Sequence, residues 1–266
     1  MSTAKPIQQP DIIAALPFLL RLRHAFSSWA GLFAIAVIWE ISAQISNLTW
    51  LPPLSRVLAR LVELFTTGDI TPHLAQSFGS LLLGFGIALA IGLAIGLAMG
   101  LNKWIYTALD SYVNALLFTP GLIFAPILFA IFGLSYWTRV SVVVIYATFI
   151  IVINTAAAVR NVERPLIEMA ASYGASRFTT LCRIVFPDAF PLIVAGIRMG
   201  VGRAVKGMVN GEIFISLVGI GGLVSRYGKQ FDFTSVWALS LFIMLLAVLI
   251  NKGVSLVERR LTQWMD

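Results

Sequence analysis

The sequence predicts an all-α, polytopic integral membrane protein with about six membrane-spanning helices. Of its 266 residues, 59% are hydrophobic and only 12% are charged, and the mean hydropathy is +0.90. Soluble domains contain about 45–50% apolar residues, and this chain has too few charged residues to cover a soluble globule of its length. Six apolar segments are long enough to cross the hydrocarbon core, which takes about 20 residues of helix.

The apolar segments divide the chain into one transmembrane domain and two tails. The six spans are predicted at residues 29–45, 76–101, 109–132, 138–159, 191–217 and 235–256. They form a single domain over residues 29–260, which includes a long loop at 161–187. Residues 1–28 are predicted to be a tail with an interfacial helix, and residues 261–266 a short C-terminal tail. Between the first two spans, the spacing of apolar residues over 54–65 predicts an amphipathic surface helix.

The distribution of positive charges predicts the orientation of the spans. Lys and Arg concentrate in the cytoplasmic loops of membrane proteins. With both termini in the cytoplasm, most cations of the loops and tails are cytoplasmic and four are external. The cytoplasmic ones include Arg21, Arg23, Lys103, Arg160, Arg164, Arg177, Arg183, Arg259 and Arg260, and the external ones are Arg56, Arg60, Arg226 and Lys229. The same bias explains the net charge of +7 without a nucleic-acid partner, since no basic run with interleaved aromatic residues occurs.

The second span carries small residues on one face. They recur every four positions, at Ser80, Gly84, Ala88, Gly92, Gly96 and Gly100. This spacing places them in one line along a helix, where the backbone of a second helix can approach closely. The four glycines therefore predict a helix-packing seam. We expect the second helix to come from the same subunit, with a partner subunit as the alternative.

The long loop before the fifth span is predicted to form a helix, a turn and a second helix. Pro165 suits the first position of a helix, and Glu168 favours the positive end of the helix dipole. Gly174 can adopt the left-handed conformation that ends a helix, and Ser176 can cap the next one. Pro187 is expected to separate the second helix from the fifth span.

The fifth span contains more polar residues than a helix facing lipid would carry. They are Arg198, Arg203, Lys206, Asn210 and Glu212. Arg203 and Lys206 fall near the bilayer middle, where an unpaired charge facing lipid costs at least about 2.5 kcal/mol. We expect them to line a translocation pathway that favours anions, with Asn210 beside them. Arg198 is expected closer to the inner mouth with Glu212 on the adjoining edge, or else paired with Glu212 of a neighbouring helix or with lipid phosphates.

Neither an active site nor a metal site is predicted. The one cysteine, Cys182, cannot form an internal disulfide or a cysteine cluster. His24 and His73 do not have the spacing that binds zinc on one helix. The nearest phosphate-loop fragment, at residues 223–230, lacks the first glycine and the Ser or Thr that binds magnesium. The chain is therefore predicted to be a transport subunit rather than an enzyme, with no cofactor of its own.

The long loop resembles a known motif. Its matching residues are Glu168, Ala170, Ala171 and Gly174, with Ala175 and Ser176 next in the turn, followed by Ile184 and Pro187. They resemble the EAA loop of binding-protein-dependent ABC permeases, which reads E-A-A-x-x-x-G and then I-x-L-P. Met169 and Phe186 depart from that pattern, and both keep an apolar residue. The dipeptide Trp39-Glu40 followed by residues 51–53, the stretch 73–100 and the glycine-rich run 219–222 are similar to the nitrate, sulfonate, taurine and bicarbonate branch.

This resemblance implies the fold and partners of a type I importer. The EAA loop would contain a coupling helix that docks into an ATPase subunit. Two permease copies would assemble with two ABC ATPase subunits, which bind ATP and magnesium, and with an extracytoplasmic binding protein, in the bacterial plasma (inner) membrane. The chain would translocate a small anion such as nitrate, bicarbonate or a sulfonate by alternating access. A secondary transporter driven by an ion gradient is the alternative, although no convincing inverted repeat is visible.

Overall fold

The computed structural model describes residues 30–46, 48–215 and 218–262 of the chain. These residues form helices joined by short connections, and no β-strand occurs among them, which confirms the predicted all-α fold. The predicted N-terminal tail, the last two residues of the predicted fifth span and the end of the C-terminal tail lie outside the described residues. The chain divides into two compact units, residues 1–59 and 60–266.

The helices are numbered in chain order. Their bounds are α1 Ala30–Ser46, α2 Leu54–Thr66, α3 Ile70–Leu101, α4 Lys103–Phe118, α5 Ala125–Phe132, α6 Tyr136–Arg160, α7 Arg164–Ser172, α8 Arg177–Thr180, α9 Phe186–Ile215, α10 Gly219–Lys229 and α11 Phe233–Thr262. A 3₁₀ turn, Gly121–Phe124, precedes α5, and a π-helical turn, Leu181–Val185, joins α8 to α9. Helix α2 confirms the amphipathic helix predicted between the first two spans.

Four of the described helices are long and apolar enough to cross a membrane. They are α3, α6, the run Arg177–Phe214 and the part Phe233–Arg260 of α11. The bent pair Lys103–Phe118 and Gly121–Phe132 makes a fifth if it is counted as one span, and α1 is a shorter apolar helix. The five longer segments lie at the second to sixth predicted spans, and α1 lies at the first.

In the first unit, residues that follow α1 form hydrogen bonds with side chains of that helix. The Glu40 carboxylate accepts hydrogen bonds from the Ser55 backbone N–H at 3.0 Å and from the Ser55 hydroxyl at 2.8 Å. The Trp39 indole donates to the carbonyl oxygen of Pro52 at 3.1 Å. Trp39 and Glu40 therefore fix the position at which α2 begins.

The third predicted span is bent, which corrects the expectation of one span over residues 109–132. It begins earlier, at Lys103, because the Asn102 side chain caps α4 by accepting a hydrogen bond from Trp104 N at 2.8 Å. It is interrupted after Phe118, where Thr119 is extended with ψ 129°. Pro120 has no N–H and disfavours a helical conformation in the residue before it. The two parts of the span consequently differ in direction by 96°.

In the second unit, α6 packs along the small residues of α3. The close contacts are Gly84 with Val143, Gly92 with Ile151, Gly96 with Thr155 and Gly100 with Val159. A Cβ atom on any of these glycines would lie 2.6–2.7 Å from a side-chain carbon of the α6 residue, which is too close for two carbon atoms. Each α6 residue follows its glycine by the same 59 positions, since 143 − 84 equals 159 − 100. Helices α3 and α6 therefore run parallel in constant register.

Helix α9 packs against α6 in the opposite direction. Its close contacts are Gly196 with Asn154, Gly200 with Ile151, Gly207 with Tyr146 and Gly211 with Val142. The numbers rise along α9 while they fall along α6, so the two helices are antiparallel. Small side chains complete the core, in which Ala88, Ala147 and Ala204 are fully buried. The sequence analysis missed the α9 glycines, although Gly196, Gly200, Ala204, Gly207 and Gly211 recur every four, four, three and four residues, which is the spacing of one helix face.

We call the two ends of the second unit the α10 side and the loop side, after the segment that lies at each end. At the α10 side, Ser77 near the start of α3 contacts Glu212 near the end of α9 and the backbone of Ile220 in α10. At the loop side, Val162 and Val185 of the long loop pack against Val159 near the end of α6.

Candidate functional site

Arg203 and Lys206 lie on a stripe of α9 that is exposed among the described residues. Other exposed members of the stripe are Leu192, Met199, Gly202 and Ile213. Both cations fall within the run Arg177–Phe214, which is apolar enough to cross a membrane. A lipid-facing cation near the bilayer middle costs at least about 2.5 kcal/mol. The stripe therefore suits contact with water or with another subunit rather than with lipid.

Arg203 and Lys206 each line a different cavity. Arg203 lines a cavity of about 210 Å³ together with Thr119, Phe149 and the bend between α4 and α5. Lys206 and Asn210 line a second cavity of about 380 Å³ against α11. The structure thus brings three of the five predicted pathway residues to open space inside or beside the bundle.

Tyr146 belongs to both cavities. Its hydroxyl oxygen accepts a hydrogen bond from the Asn210 amide at 3.0 Å. Its ring and Cβ pack where Gly121 and Gly207 have no side chain, and a Cβ on Gly207 would lie 2.8 Å from that of Tyr146. The sequence analysis missed Tyr146, because one tyrosine in an apolar span gives no sign that it lies between two cations.

Arg198 forms an ion pair with Glu258 of α11, with Nη1 and Oε2 3.0 Å apart. The sequence analysis did not name Glu258, which belongs to the sixth span, among the partners expected for Arg198. This pair fixes the loop-side ends of α9 and α11 to each other. The two cavities that Arg203 and Lys206 line do not include Arg198.

The substitution Arg198→Gln should have a small effect. The Arg198 side chain is 41% exposed, and exposed ion pairs contribute about 0–1 kcal/mol. We expect the melting temperature of the detergent-purified protein to fall slightly and solute uptake in vesicles to stay within about twofold of wild type. A loss of uptake comparable with that from removing Arg203 would instead place Arg198 in the pathway.

Glu212, which the sequence analysis grouped with the pathway residues, does not share the exposed stripe. It is fully buried at the α10 side. Its Oε2 atom accepts hydrogen bonds from the Ser77 hydroxyl at 2.8 Å and from Gly221 N at 3.1 Å. Burial of the carboxylate follows from α10, which folds back so that its first residues lie against Glu212.

The helix–turn–helix predicted in the long loop is confirmed. Helix α7 has Pro165 in its first turn and ends before Gly174, whose φ is +75°. Ala175 N donates to the carbonyl oxygen of Ala170 at 3.0 Å, which closes the turn around the left-handed glycine. The Ser176 hydroxyl accepts a hydrogen bond from Thr179 N at 3.2 Å and so caps α8.

Pro187 does not separate the second helix of the loop from the fifth span. The run Arg177–Phe214 is one continuous helix, in which Pro187 is the second residue of α9. The π turn immediately before it carries a bond from Phe186 N to the carbonyl oxygen of Leu181. This wider turn replaces the regular turn with which the proline ring would clash.

The tip of the loop exposes apolar side chains while its base is packed. Tyr173 and Phe178 are 86% and 74% exposed, and Glu168 and Ala171 are also exposed. Val162 and Val185 are buried in a cluster with residues of α6 and α9, and Ile184 next to Val185 is half-buried. An exposed apolar tip on a packed base suits contact with another protein.

Comparison with known proteins assigns the family. Residues 86–263 match the family model described as the binding-protein-dependent transport system inner membrane component. The chain belongs to this permease family. The matched region contains the second half of α3, the whole loop, and the span that carries Arg203, Lys206 and Glu212.

The relatives of this permease are transport proteins of similar length. It is 32% identical over 239 residues to the putative aliphatic sulfonates transport permease protein SsuC of Escherichia coli (strain K12), covering 89% of this chain and 90% of that one. It is 31% identical over 235 residues to the riboflavin transport system permease protein RibX of Chloroflexus aurantiacus, covering 88% of both chains. The first similarity agrees with the predicted sulfonate branch.

A solved transporter shares the fold. A chain of the methionine ABC transporter MetNI, in an inward-facing form, superposes with a TM-score of 0.63 at 17% sequence identity, covering 72% of this permease and 95% of that chain. The permease is therefore a multi-pass membrane protein with the transmembrane-domain fold of an ABC importer.

Proposed function

We propose that this chain is the membrane-spanning subunit of an ATP-driven, binding-protein-dependent importer that moves a small anion by alternating access. The observation that carries the proposal is the exposure of Arg203 and Lys206 in the middle of α9, each beside a cavity that includes Tyr146. Two fixed cations on a membrane span attract anions and repel cations. Arg203 adds a guanidinium fork that can bind two oxygens of a sulfonate or carboxylate at once.

The relatives alone do not set the charge of the solute. One is named for aliphatic sulfonates and the other for riboflavin. The preference for an anion therefore rests on Arg203 and Lys206. Nitrate, bicarbonate and small sulfonates are the solutes that fit this charge and the cavity volumes.

A second copy of the permease supplies the other wall of the pathway. The exposed stripe of α9 contains Gly202, which has nothing within 4 Å of its Cβ position, so another helix can approach it closely. Two copies related by a two-fold axis would place four cations around one path, which removes them from lipid.

The loop side faces the cytoplasm, as do both termini, in the bacterial plasma membrane. The exposed tip around Tyr173 and Phe178 docks onto one of two ABC ATPase subunits, which bind the ATP and magnesium. The α10 side faces the extracytoplasmic binding protein that delivers the solute. This orientation follows from the positive charges of the loop side, which include Arg160, Arg164 and Arg177.

The test is uptake of ethanesulfonate and riboflavin by the assembled importer in proteoliposomes. The double variant Arg203→Gln/Lys206→Gln should import ethanesulfonate at least about tenfold more slowly, since each hydrogen bond to a charged group contributes about 1.5–3 kcal/mol. The charge-conserving variant Arg203→Lys/Lys206→Arg should stay within about threefold for ethanesulfonate, because both positive charges remain.

Two outcomes would contradict the proposal. Unchanged rate and preference in the neutral double variant would remove the argument for an anion. Uptake without ATP or an ATPase subunit would favour the ion-gradient-driven secondary transporter.

A further inference from the structure

The first turn of α10 is capped by side chains from two other helices. Val218, at the N-cap position of α10, makes no side-chain cap of its own. Instead, Ile220 N donates to the Ser77 hydroxyl at 3.0 Å, and Gly221 N donates to Oε2 of Glu212 at 3.1 Å. The Ser77 hydroxyl in turn donates to Glu212 at 2.8 Å. Two N–H groups that a helix start leaves unpaired are thereby satisfied from α3 and α9.

The backbone of α10 lies directly against the Glu212 side chain. A Cβ on Gly221 would be 2.7 Å from the Cβ of Glu212, and a Cβ on Gly219 would overlap its carboxylate group. Gly219 also has a φ of +79°, which favours glycine. Ser77 and Glu212 are both fully buried. Displacing α10 from α3 and α9 would therefore leave buried hydrogen-bonding groups unpaired.

We propose that Ser77 and Glu212 are positioning residues that latch α10 to α3 and α9, so that α10 moves together with α9 during transport. We call their hydrogen bonds to Ile220 and Gly221 the latch. The run Arg177–Phe214 is continuous from the second helix of the loop to Glu212. A movement of the loop would therefore displace α9 and, through the latch, α10. A displacement of α10 would likewise be transmitted through α9 to the loop. This second step rests on the proposed function; the latch itself does not.

Hydrogen–deuterium exchange of residues 219–229 tests the latch in the purified full chain. Ser77→Ala removes the acceptor of Ile220 N and the donor to Glu212, so exchange in this segment should accelerate on the order of tenfold. Ser80→Ala is the matched control, since Ser80 is equally buried in α3 but bonds only to carbonyl oxygens of its own helix. It should change exchange in 219–229 by less than about twofold. Equal effects of the two variants, or faster exchange spread over residues 164–172 as well, would overturn the latch.

A second pair of variants guards against a folding defect in Ser77→Ala. Ser77→Thr and Ser77→Val give side chains of the same branched shape, in which the threonine hydroxyl is replaced by a methyl group in valine. The threonine variant should keep slow exchange in 219–229, and the valine variant should lose it or fail to fold. Identical behaviour of the two would show that packing, and not the hydroxyl, holds α10.

Transmission is tested in the assembled importer. In Ser77→Ala, stimulation of ATP hydrolysis by the binding protein should fall at least about fivefold while unstimulated hydrolysis is retained, and Ser80→Ala should keep normal stimulation. Faster exchange in α10 with normal stimulation would show that the latch carries no movement. A chain that transports without ATP would refute the proposed function and leave the exchange result standing.

Discussion

Leucine in place of Gly92 should prevent the permease from folding, whereas leucine in place of Gly86 should be tolerated. A Cβ on Gly92 would lie 2.7 Å from Cγ2 and 2.8 Å from Cβ of Ile151, and 3.3 Å from the carbonyl oxygen of Thr148. Overpacking costs about 1–3 kcal/mol when side chains can rearrange. Here a whole side chain meets the branch point of Ile151 and the backbone of α6, so we expect a loss of at least about 3 kcal/mol.

Gly86 provides a control on the same helix. It is exposed, and nothing lies within 4 Å of its Cβ position. Both variants would be compared by the yield of monodisperse protein in size-exclusion chromatography and by the melting temperature in detergent. Similar yields and melting temperatures for the two variants would show that the seam does not require glycine.

Valine in place of Gly174 should leave the protein folded but uncouple ATP hydrolysis from uptake. Gly174 has a φ of +75° and open space around its Cβ position, so the substitution adds backbone strain without a steric clash. A left-handed conformation costs an ordinary residue roughly 1–2 kcal/mol, and a β-branched residue is a poor occupant of it. The turn should therefore rearrange, which moves α7 relative to α8. We expect uptake to fall at least about tenfold with insertion in the membrane unchanged.

Gly68→Val is the matched control for this strain. Gly68 has a φ of +80° and likewise open space, but it lies between α2 and α3, away from the long loop. It should lose comparable stability and keep the ratio of solute imported to ATP hydrolysed. Equal uncoupling in both variants, or normal uptake in Gly174→Val, would remove the coupling role from the turn.

Local features of the fold could be predicted because short-range chemistry determines them. The four-residue spacing of small residues indicated the flat face of α3, and the left-handed glycine with its following cap indicated the turn of the loop. The bend at Pro120 could also have been predicted, since proline disfavours a helical conformation in the residue before it. It was overlooked because the surrounding residues are apolar enough to make one uninterrupted span.

Contacts between distant parts of the chain could not be predicted in the same way. Glu212 shares a helix with Arg203 and Lys206, but at 100° per residue it projects about 180° away from Arg203. The projection shows that Glu212 faces another way without showing what it faces. Its neighbours are the start of α10 and Ser77, which lies 135 positions earlier in the chain. Likewise, the place of Tyr146 between two cavities depends on the packing of α6 against α9, for which no single segment carries a signal.

The π turn at Leu181–Val185 determines how the loop before it is rotated around the axis of α9. Such a turn contains one residue more than a regular turn, so the segment before it is rotated by about 100° around the axis of α9. The direction in which Tyr173 and Phe178 point relative to Arg203 is therefore set by the number of residues in this turn. Loss of a single residue here would turn the exposed tip of the loop in a different direction around the axis of α9, although no side chain of the tip itself would change.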